Sequence, residues 1–408
     1  MSERSRSRNV AVVAGCLVAM FVTAPGQTFV VSTFNDALTT ALDVSPTRLA
    51  GAYLVGTLLS AACLPWIGRV ADRIGPRRMM MAASVGLALA GVALSAVQGI
   101  VALTLAFFLL RVFGQGALSL SSSHALALRY DANLGAVEGL RGATISAAIA
   151  VVPQVSIALI AARGWRGAAV VLAVSAGAVG LLAALFLVDR DPPRRAPTER
   201  DRGGDDGSFT LAEARATASL WILFVALATV AAVLTAVHFH LQPILATAGM
   251  NEAEAARTFA SFAAAGLAAT LVGGLLADRM RPSVLLTVAM TLLAVGTVLL
   301  GLADSALDAH VGMALHGVAH GIATATMAPT IARYFGRAHH GAIRGLSGSV
   351  GVAGSAAGPW ALSALADVVG GFGRALLLLG LATVLVAAWC AFLRRPVRRP
   401  DPHGRVSR

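Results

Sequence analysis

The stretch GRVADRIGPRR at residues 68–78 forms a short charged break between two long apolar runs. A shorter copy, GLLADR, occurs at residues 274–279 and also follows an apolar run. Crossing the hydrocarbon core of a bilayer takes about 20 mostly apolar residues, and the runs beside both breaks are that long. Because the two copies lie about half of the 408-residue chain apart, they predict a membrane protein built from two similar halves.

Three further pairs of positions correspond between the halves in the same order. With the charged break, four matching pairs occur in the same order in both halves. This pattern indicates a duplication, in which six spans are repeated as six more. The further pairs are Pro153 with Pro359, RVFGQG at 111–116 with HGVAHG at 316–321, and Arg129-Tyr130 with Arg333-Tyr334.

The composition agrees with a membrane protein. Apolar residues make up 57% of the chain and charged residues 13%, with a mean hydropathy of +0.76, whereas soluble domains carry about 25% charged residues. Twelve apolar runs can be distinguished, starting near residues 10, 49, 79, 100, 142, 167, 219, 256, 282, 309, 343 and 374. The predicted fold is therefore an all-α membrane protein with twelve transmembrane helices, arranged as two pseudo-symmetric six-helix bundles around a central cavity.

The domain boundaries follow from a polar stretch between the sixth and seventh runs. The predicted domains are an N-terminal bundle at 1–188, a cytoplasmic linker at 189–217, and a C-terminal bundle with a basic tail at 218–408. The linker is rich in Pro, Gly and charge, and has too few apolar residues to form a core. A short surface helix is predicted near its end, around residues 211–218.

The distribution of basic residues predicts the orientation. The net charge is +12 and the chain contains no lysine, so all 32 basic residues are arginines. With the N-terminus inside, 26 of them fall in inner loops and tails and five fall outside, as the positive-inside rule requires. We therefore expect cytoplasmic termini and a location in the inner (plasma) membrane. Because the positive charge orients loops rather than forming one patch, we expect no nucleic-acid partner.

The charged break at residues 68–78 resembles the signature loop between the second and third helices of the major facilitator superfamily, and RVFGQG at 111–116 resembles its fourth-helix motif. With the twelve runs, the resemblance covers essentially the whole chain and implies secondary transport by alternating access. In that superfamily the loop braces one conformation, so the resemblance implies a gating role for a set of loop residues. They are Gly68, Asp72, Arg73, Gly75, Arg77 and Arg78, with Asp278 and Arg279 in the second copy.

A second resemblance is narrower. The stretches ARYFGR at 332–337 and HGAIRG at 340–345 are similar to the region between the tenth and eleventh helices of the monocarboxylate and oxalate–formate exchanger-like branch. The chain differs from that branch because it has no basic residue midway along the eighth or eleventh run, where Arg257 and Arg344 lie at the ends. The resemblance implies a small carboxylate as substrate, and the difference leaves that selectivity open.

One charged residue lies deep within a predicted span. Arg111 is about ten residues into the fourth run, ~15 Å along a helix at 1.5 Å per residue. A guanidinium at that depth needs an anion, carbonyl groups or water. Two roles follow for Arg111: it ties its helix to neighbouring carbonyls, or it binds the anionic group of a substrate in a bidentate manner. None of the 20 acidic residues is predicted mid-span, which argues against export of cationic drugs.

Neutral polar residues complete the candidate site. His316 and His320 are expected to share one face of the tenth run, and the duplication places them where Arg111 and Gln115 stand in the first half. Because histidine titrates near neutral pH, this pair is suited to assist binding or to carry a proton. The remaining candidates are Gln27, Gln154, and the pair His238 and Gln242, which are also expected to share a face.

Together these features predict a secondary active transporter for a small organic anion, a monocarboxylate or a dicarboxylate, driven by proton coupling or exchange. The alternatives are an exporter of neutral or amphiphilic compounds on the same fold and a non-transporting membrane receptor. An ATP-binding loop needs a lysine, and no nucleophile–base constellation points to an enzyme. The expected partners are the small molecule, the bilayer and protons, with no cofactor, no metal and a functional monomer.

Overall fold

The computed structural model describes residues 3–130, 134–189, 208–277, 279–336 and 340–397, and these residues contain helices and no β-strand. Ten of the helices are long and apolar enough to cross a membrane. One of them, Leu134–Leu187, holds two spans, because Gly164 interrupts it with φ 69° and ψ 165°. Ala306–Phe335 is also long enough to cross. The described residues therefore form twelve spans, and the predicted all-α membrane fold is confirmed.

The spans are numbered in chain order. They are span 1, Glu3–Phe21 continued by residues 24–42; span 2, Pro46–Ile74; span 3, Pro76–Ser95; span 4, Ile100–Arg129; span 5, residues 134–163; span 6, residues 165–187; span 7, Ala218–Phe239 continued by Leu241–Ala246; span 8, Glu252–Ala277; span 9, Pro282–Gly301; span 10, Ala306–Phe335; span 11, His340–Val369; and span 12, Phe372–Cys390. Proline begins spans 2, 3 and 9, where its missing N–H removes no helical hydrogen bond.

The packing of the spans repeats from one half to the other. In the N-terminal half, span 1 packs on span 5, span 2 on span 4 and span 3 on span 6. In the C-terminal half, span 7 packs on span 11, span 8 on span 10 and span 9 on span 12. The halves meet where span 2 packs on span 11 and where span 8 packs on the helix Leu134–Leu187, which holds spans 5 and 6. This arrangement is the one expected of parallel repeats in a transporter.

The bundle has two ends, which we name by the residues they carry. The terminal face carries both ends of the described chain, at residues 3–9 and 394–397, and the loop at 72–78. The far face carries the opposite helix ends, at residues 42–48, 96–99, 164, 247–251, 302–305 and 370–371.

The two halves are joined near the far face. Thr47 in span 2 donates a hydrogen bond to a carboxylate oxygen of Asp367 in span 11 (2.5 Å), and its hydroxyl lies 2.8 Å from that of Ser363. Asn35 in span 1 donates its amide N–H to the backbone carbonyl of Phe239 in span 7. We name these five residues the far-face seal.

On the terminal face, the described bonds that fasten the spans stay within one half. Asp189 accepts hydrogen bonds from Arg8 (2.6 Å) and Arg129, so one carboxylate joins the ends of spans 1, 4 and 6. Burial raises the pKa of Asp189, but these two hydrogen bonds outweigh it and hold the pKa below its usual range. In the C-terminal half, Arg333 donates to the carbonyl of Ala277 (2.8 Å).

The end of the predicted linker lies against the C-terminal half. Residues 190–207 are outside the described residues. A short helix follows at Leu211–Arg215, and it begins with a capping box between Thr210 and Glu213. Just before it, the ring of Phe209 packs edge-on against Phe335 of span 10, with ring centres 5.6 Å apart. The short helix predicted at the end of the linker is therefore present, although it ends at Arg215.

Spans 1 and 4 touch at two glycines, and this contact gives a first prediction. A Cβ on Gly26 would lie 2.3 Å from the carbonyl oxygen of Leu110 and 2.9 Å from the Cα of Gly114. Gly26→Ala must therefore push the two spans apart, and overpacking of this kind costs ~1–3 kcal/mol. We expect a lower thermal unfolding temperature of the detergent-purified protein. Gly142→Ala is the control, since its Cβ would meet no atom within 4 Å; equal unfolding temperatures for the two variants would contradict the contact.

Candidate functional site

The candidate site lies where a break in span 1 meets an unusual stretch of span 4. The first helix gives way to a 3₁₀ turn at Ala24–Gly26, where the proline cannot continue the helical hydrogen bonds. Facing it, Arg111–Leu118 is π-helical, a geometry found frequently at functional sites. The contact between Gly26 and Gly114 lets the backbone of span 1 approach the side chain of Arg111.

Arg111 is almost fully buried, with 3% of its surface exposed. Its Nη1 donates to the carbonyl of Gly26 at 3.4 Å, and its Cζ lies 5.3 Å from the centre of the Tyr53 ring. Its Nε has no hydrogen-bond partner, and no described carboxylate forms an ion pair with it. A cation held by one long hydrogen bond and one aromatic face retains the capacity to bind an anion.

Tyr53 connects Arg111 to the other half of the protein. Its ring centre lies 4.7 Å from that of Phe239 in span 7, and its hydroxyl lies 2.6 Å from that of Thr28 in span 1. The sequence does not single out Tyr53 or Phe239, because aromatic residues in an apolar run are equally typical of an ordinary core. The tyrosine hydroxyl was the available signal, since a buried Tyr O–H usually has a polar partner.

His238 lies on the C-terminal side of the same boundary between the halves. It is 7% exposed, and its ring packs edge-on against Phe259 (5.1 Å) and Phe262 (4.6 Å) of span 8. Phe259 in turn lies 6.4 Å from Phe29 of span 1. The Nε2 atom of His238 has no hydrogen-bond partner. His238 therefore offers one free polar atom within an aromatic surrounding.

His316 and His320 lie in two different environments. His316 is fully buried; its Nε2 lies 3.0 Å from the hydroxyl of Thr297 in span 9, and its Nδ1 has no partner. His320 is exposed and stacks on Phe262 at 5.9 Å. Four residues along a helix rotate the side chain by about 40° and raise it by about 6 Å, enough to separate the two rings. Among the described residues, no three His, Cys, Asp or Glu side chains are grouped as a metal site.

Two of the predicted glutamines belong to the same two segments as the contact between Gly26 and Arg111. Gln27 directly follows the 3₁₀ turn of span 1, and Gln115 lies in the π-helical segment; both are half-buried. Gln154 differs from them. It is exposed, donates to a carbonyl of its own helix (2.6 Å), and shares the exposed stripe of span 5 with Val155. Its hydrogen bond goes to Ala150 and not to Arg111, and its role in the site stays a prediction.

Gln242 is buried, and its Oε1 has no hydrogen-bond partner. The expectation that it shares a helical face with His238 needs correction. The helix Ala218–Phe239 ends before it, and a new helix, Leu241–Ala246, begins beyond His240. Because the helix is interrupted at His240, the spacing of a continuous helix does not place His238 and Gln242 on one face.

Six buried side-chain atoms of the described residues have no hydrogen-bond partner. An unpaired buried polar atom costs ~1–3 kcal/mol, and native proteins keep few of them. Within the described residues, all six such side-chain atoms belong to spans 1, 2, 4, 7 and 10. They are Asn35 Oδ1, Thr57 Oγ1, Arg111 Nε, His238 Nε2, Gln242 Oε1 and His316 Nδ1. Two of them, Arg111 Nε and His238 Nε2, belong to side chains that adjoin the aromatic contacts between the halves.

The signature loop is fastened within the N-terminal half. Asp72 is exposed, and its carboxylate lies 3.6 Å from His124 of span 4. Arg77 donates to the carbonyls of Ala184 (2.9 Å) and Leu185 (2.7 Å) in span 6. These contacts hold the loop against its own half rather than across the boundary.

The other loop residues make few contacts. Gly75 turns the chain from span 2 into span 3 with φ +84°, a conformation that favours glycine. A Cβ on Gly68 would meet no atom within 4 Å. Arg73, Arg78 and Arg279 are exposed, and Asp278 lies outside the described residues.

An ion pair near the terminal face was not predicted. The hydropathy pattern predicts that the fifth span begins near residue 142, whereas span 5 starts at residue 134 and includes Glu138 and Arg141. The two side chains pair at 2.6 Å, and both are less than one-third exposed. Ser123 of span 4 donates to Glu138, and Arg141 reaches Ser119 at 3.2 Å. A second arginine within a span, Arg141, is thus partly buried, but it already has its carboxylate.

Comparison with solved structures shows the same fold. A bacterial homolog of the human lysosomal transporter Spinster, in an inward-facing and unoccupied conformation, matches with a TM-score of 0.77 and 14% identity over 96% of this chain and 98% of that chain. A structure of such a homolog in an inward-facing and occupied conformation matches with a TM-score of 0.72 and 16% identity over 96% and 97%. No functionally curated protein matches the sequence.

A family profile matches the sequence itself. The profile of the Major Facilitator Superfamily matches residues 16–313 and 241–408, which together cover nearly the whole chain. The twelve spans, the packing repeated between the halves and the loop between spans 2 and 3 agree with this match. The chain therefore belongs to the Major Facilitator Superfamily and is a membrane transporter.

Proposed function

We propose that this transporter carries a small organic anion, and that Arg111 binds the anionic group. The observation that supports the proposal is the state of this side chain: among the described residues it is the one buried group with a fixed charge, and no described carboxylate pairs with it. A guanidinium matches a carboxylate through two parallel hydrogen bonds. The unpartnered Nε of Arg111 is one donor of such a pair.

The same site is suited to alternating access. It lies between the halves, with Arg111 and Tyr53 on one side and Phe239 and His238 on the other. The far-face seal separates it from one side of the membrane. By the positive-inside rule we place the terminal face, with both termini, in the cytoplasm of a cell with an inner (plasma) membrane. The structure would then correspond to the inward-facing state of a transporter that acts as a monomer.

The proposal extends to the class of substrate and to the coupling that drives its transport. The similarity of residues 332–345 to the monocarboxylate and oxalate–formate exchanger-like branch favours a monocarboxylate or a dicarboxylate. Gln27 and Gln115 would orient the anion through hydrogen bonds. Proton coupling would use His316 and His320 of span 10. Exchange of one anion for another would need neither histidine.

An uptake screen in proteoliposomes tests the proposal. Purified protein is reconstituted, and uptake of radiolabelled carboxylates is compared with uptake of the matching uncharged amides. We expect saturable uptake of at least one carboxylate and none of its amide. Equal uptake of acid and amide would point instead to a transporter of neutral or amphiphilic compounds.

A pH profile tests the role of the two histidines. In the double variant His316→Gln, His320→Gln, the pH dependence of carboxylate uptake is expected to flatten, because the amide side chains keep hydrogen bonding but do not titrate near neutral pH. His310→Gln is the matched control: His310 lies on the same helix, beside Ser261 at 2.8 Å, and the profile should be unchanged. A double variant with the wild-type pH profile would exclude the histidine relay.

A further inference from the structure

We propose that the protein has a further binding site, at its far face, for a phospholipid whose headgroup carries an ammonium group. The site is an open groove of about 590 Å³, formed by the loop between spans 1 and 2, the first turns of span 2 and the first turn of span 4. The groove lies within the N-terminal half, and Arg111 does not line it. The inference is therefore independent of the proposed function.

The far-face end of the groove carries one negative and one positive side chain. Asp43 and Arg48 both line it, and both are exposed. They do not pair with each other, and neither forms an ion pair with any other described residue. A guanidinium binds a phosphate oxygen through charge-assisted hydrogen bonds, and a carboxylate accepts them from an ammonium group. The two side chains therefore complement a headgroup that contains both a phosphate and an ammonium group.

The backbone at Asp43 favours a variant that removes its carboxylate cleanly. The helix Asn35–Leu42 ends at this residue, which lies in the left-handed region with φ 51° and ψ 50°. It is the one residue other than glycine with a positive φ among the described residues. Glycine adopts this conformation at the least cost. Asp43→Gly is therefore expected to delete the charge without disturbing the turn.

Beyond these charges the groove is apolar. Its lower walls are Gly51, Ala52 and Val55 of span 2 and Ile100 and Thr104 of span 4. The hydroxyl of Thr104 already donates to the carbonyl of Ile100 (2.9 Å). At 1.5 Å per residue, Val55 lies ~10 Å further along the helix than Arg48. The groove thus leads from the polar end of span 2 into the depth of the hydrocarbon.

The surroundings of the groove indicate a lipid rather than a soluble ligand. Neighbouring side chains of spans 2 and 4 are large, apolar and exposed, and in a membrane-spanning chain such surface faces the bilayer. They are Leu58, Leu59, Val101 and Leu105. An acyl chain would cover the apolar walls, whereas a soluble zwitterion would leave them open. We therefore assign the groove to a membrane lipid.

A comparison of three headgroups tests the inference. The purified full-length protein is equilibrated in detergent with phosphatidylethanolamine, phosphatidylcholine or phosphatidylglycerol of identical acyl chains, and bound lipid is measured by native mass spectrometry. We expect phosphatidylethanolamine to bind about twofold to fivefold more tightly than the other two, the range that an exposed charge pair supports. Choline has no N–H to donate to Asp43, and the glycerol headgroup has no positive charge.

Variants assign the preference to the two charges. Asp43→Gly should remove the preference for phosphatidylethanolamine over phosphatidylcholine. Arg48→Gln should weaken the binding of all three lipids by about twofold to fivefold, because each contains the phosphate. Arg257→Gln is the matched control: this exposed arginine lies near the start of span 8, on the same face but outside the groove, and lipid binding should be unchanged.

Three results would overturn the inference. The first is a wild-type headgroup preference in Asp43→Gly, and the second is wild-type lipid binding in Arg48→Gln. The third is displacement of phosphatidylethanolamine by an equal concentration of soluble phosphoethanolamine, which would show that the apolar walls contribute nothing. Each result concerns the groove alone and leaves the role of Arg111 in anion transport untouched.

Discussion

Replacing Arg111 by glutamine is expected to reduce carboxylate uptake by about 10- to 100-fold at equal protein level in the membrane. A hydrogen bond to a charged group contributes ~1.5–3 kcal/mol, and each 1.4 kcal/mol corresponds to about a tenfold change. Arg111→Lys should give an intermediate value, because it keeps the charge but not the planar pair of donors. The measurement is kcat/KM for uptake in proteoliposomes, normalised to reconstituted protein.

The stability of the same variants separates binding from a structural role. Arg111 makes one long hydrogen bond to the carbonyl of Gly26 and has an unpartnered Nε, so its burial opposes folding in the absence of substrate. Arg111→Gln should therefore leave the unfolding temperature unchanged or raise it. A strong fall in that temperature with normal uptake would show instead that Arg111 ties span 4 to span 1.

Cross-linking the far-face seal is expected to abolish uptake completely. Thr47 and Ser363 lie on opposite halves with their hydroxyl oxygens 2.8 Å apart, so cysteines at both positions are close enough for a disulfide. The experiment uses a background in which the three native cysteines are replaced by alanine. Oxidation should stop uptake and reduction should restore it, because alternating access requires the two halves to separate on this face.

A cross-link within one half provides the matched control. Thr235 in span 7 and Ser355 in span 11 have hydroxyl oxygens 2.9 Å apart, and both belong to the C-terminal half. Cysteines at these positions should also form a disulfide, yet uptake should continue. Undiminished uptake in the oxidised Thr47→Cys, Ser363→Cys variant would contradict a transport cycle that opens the far face.

Most of the fold could be predicted from the sequence, because a bilayer imposes long apolar runs that are visible without tertiary information. The duplicated motifs further predict that the spans form two similar bundles of six. The starts of spans were less accurate: span 5 begins at residue 134 and includes Glu138 and Arg141, whereas a hydropathy pattern ends where charges begin. Backbone hydrogen bonds continue through such residues when their side chains pair with one another.

The site could be predicted only in part. Arg111 is identifiable because a lone charge in an apolar run has few explanations. Phe239 and Tyr53 carry no charge, and their contact depends on how the two halves pack together. The role of Gln154 stays a prediction: its side chain is exposed and donates to the carbonyl of Ala150 in its own helix.

Asp189 has a mechanical consequence for transport. One carboxylate holds the starting residues of span 1 and the closing residues of spans 4 and 6, through Arg8 and Arg129. Because its pKa lies below the usual range, the carboxylate stays ionised, and this joint persists, to more acidic conditions than an ordinary aspartate would allow. The ends of spans 1, 4 and 6 on the terminal face are therefore expected to move together during transport.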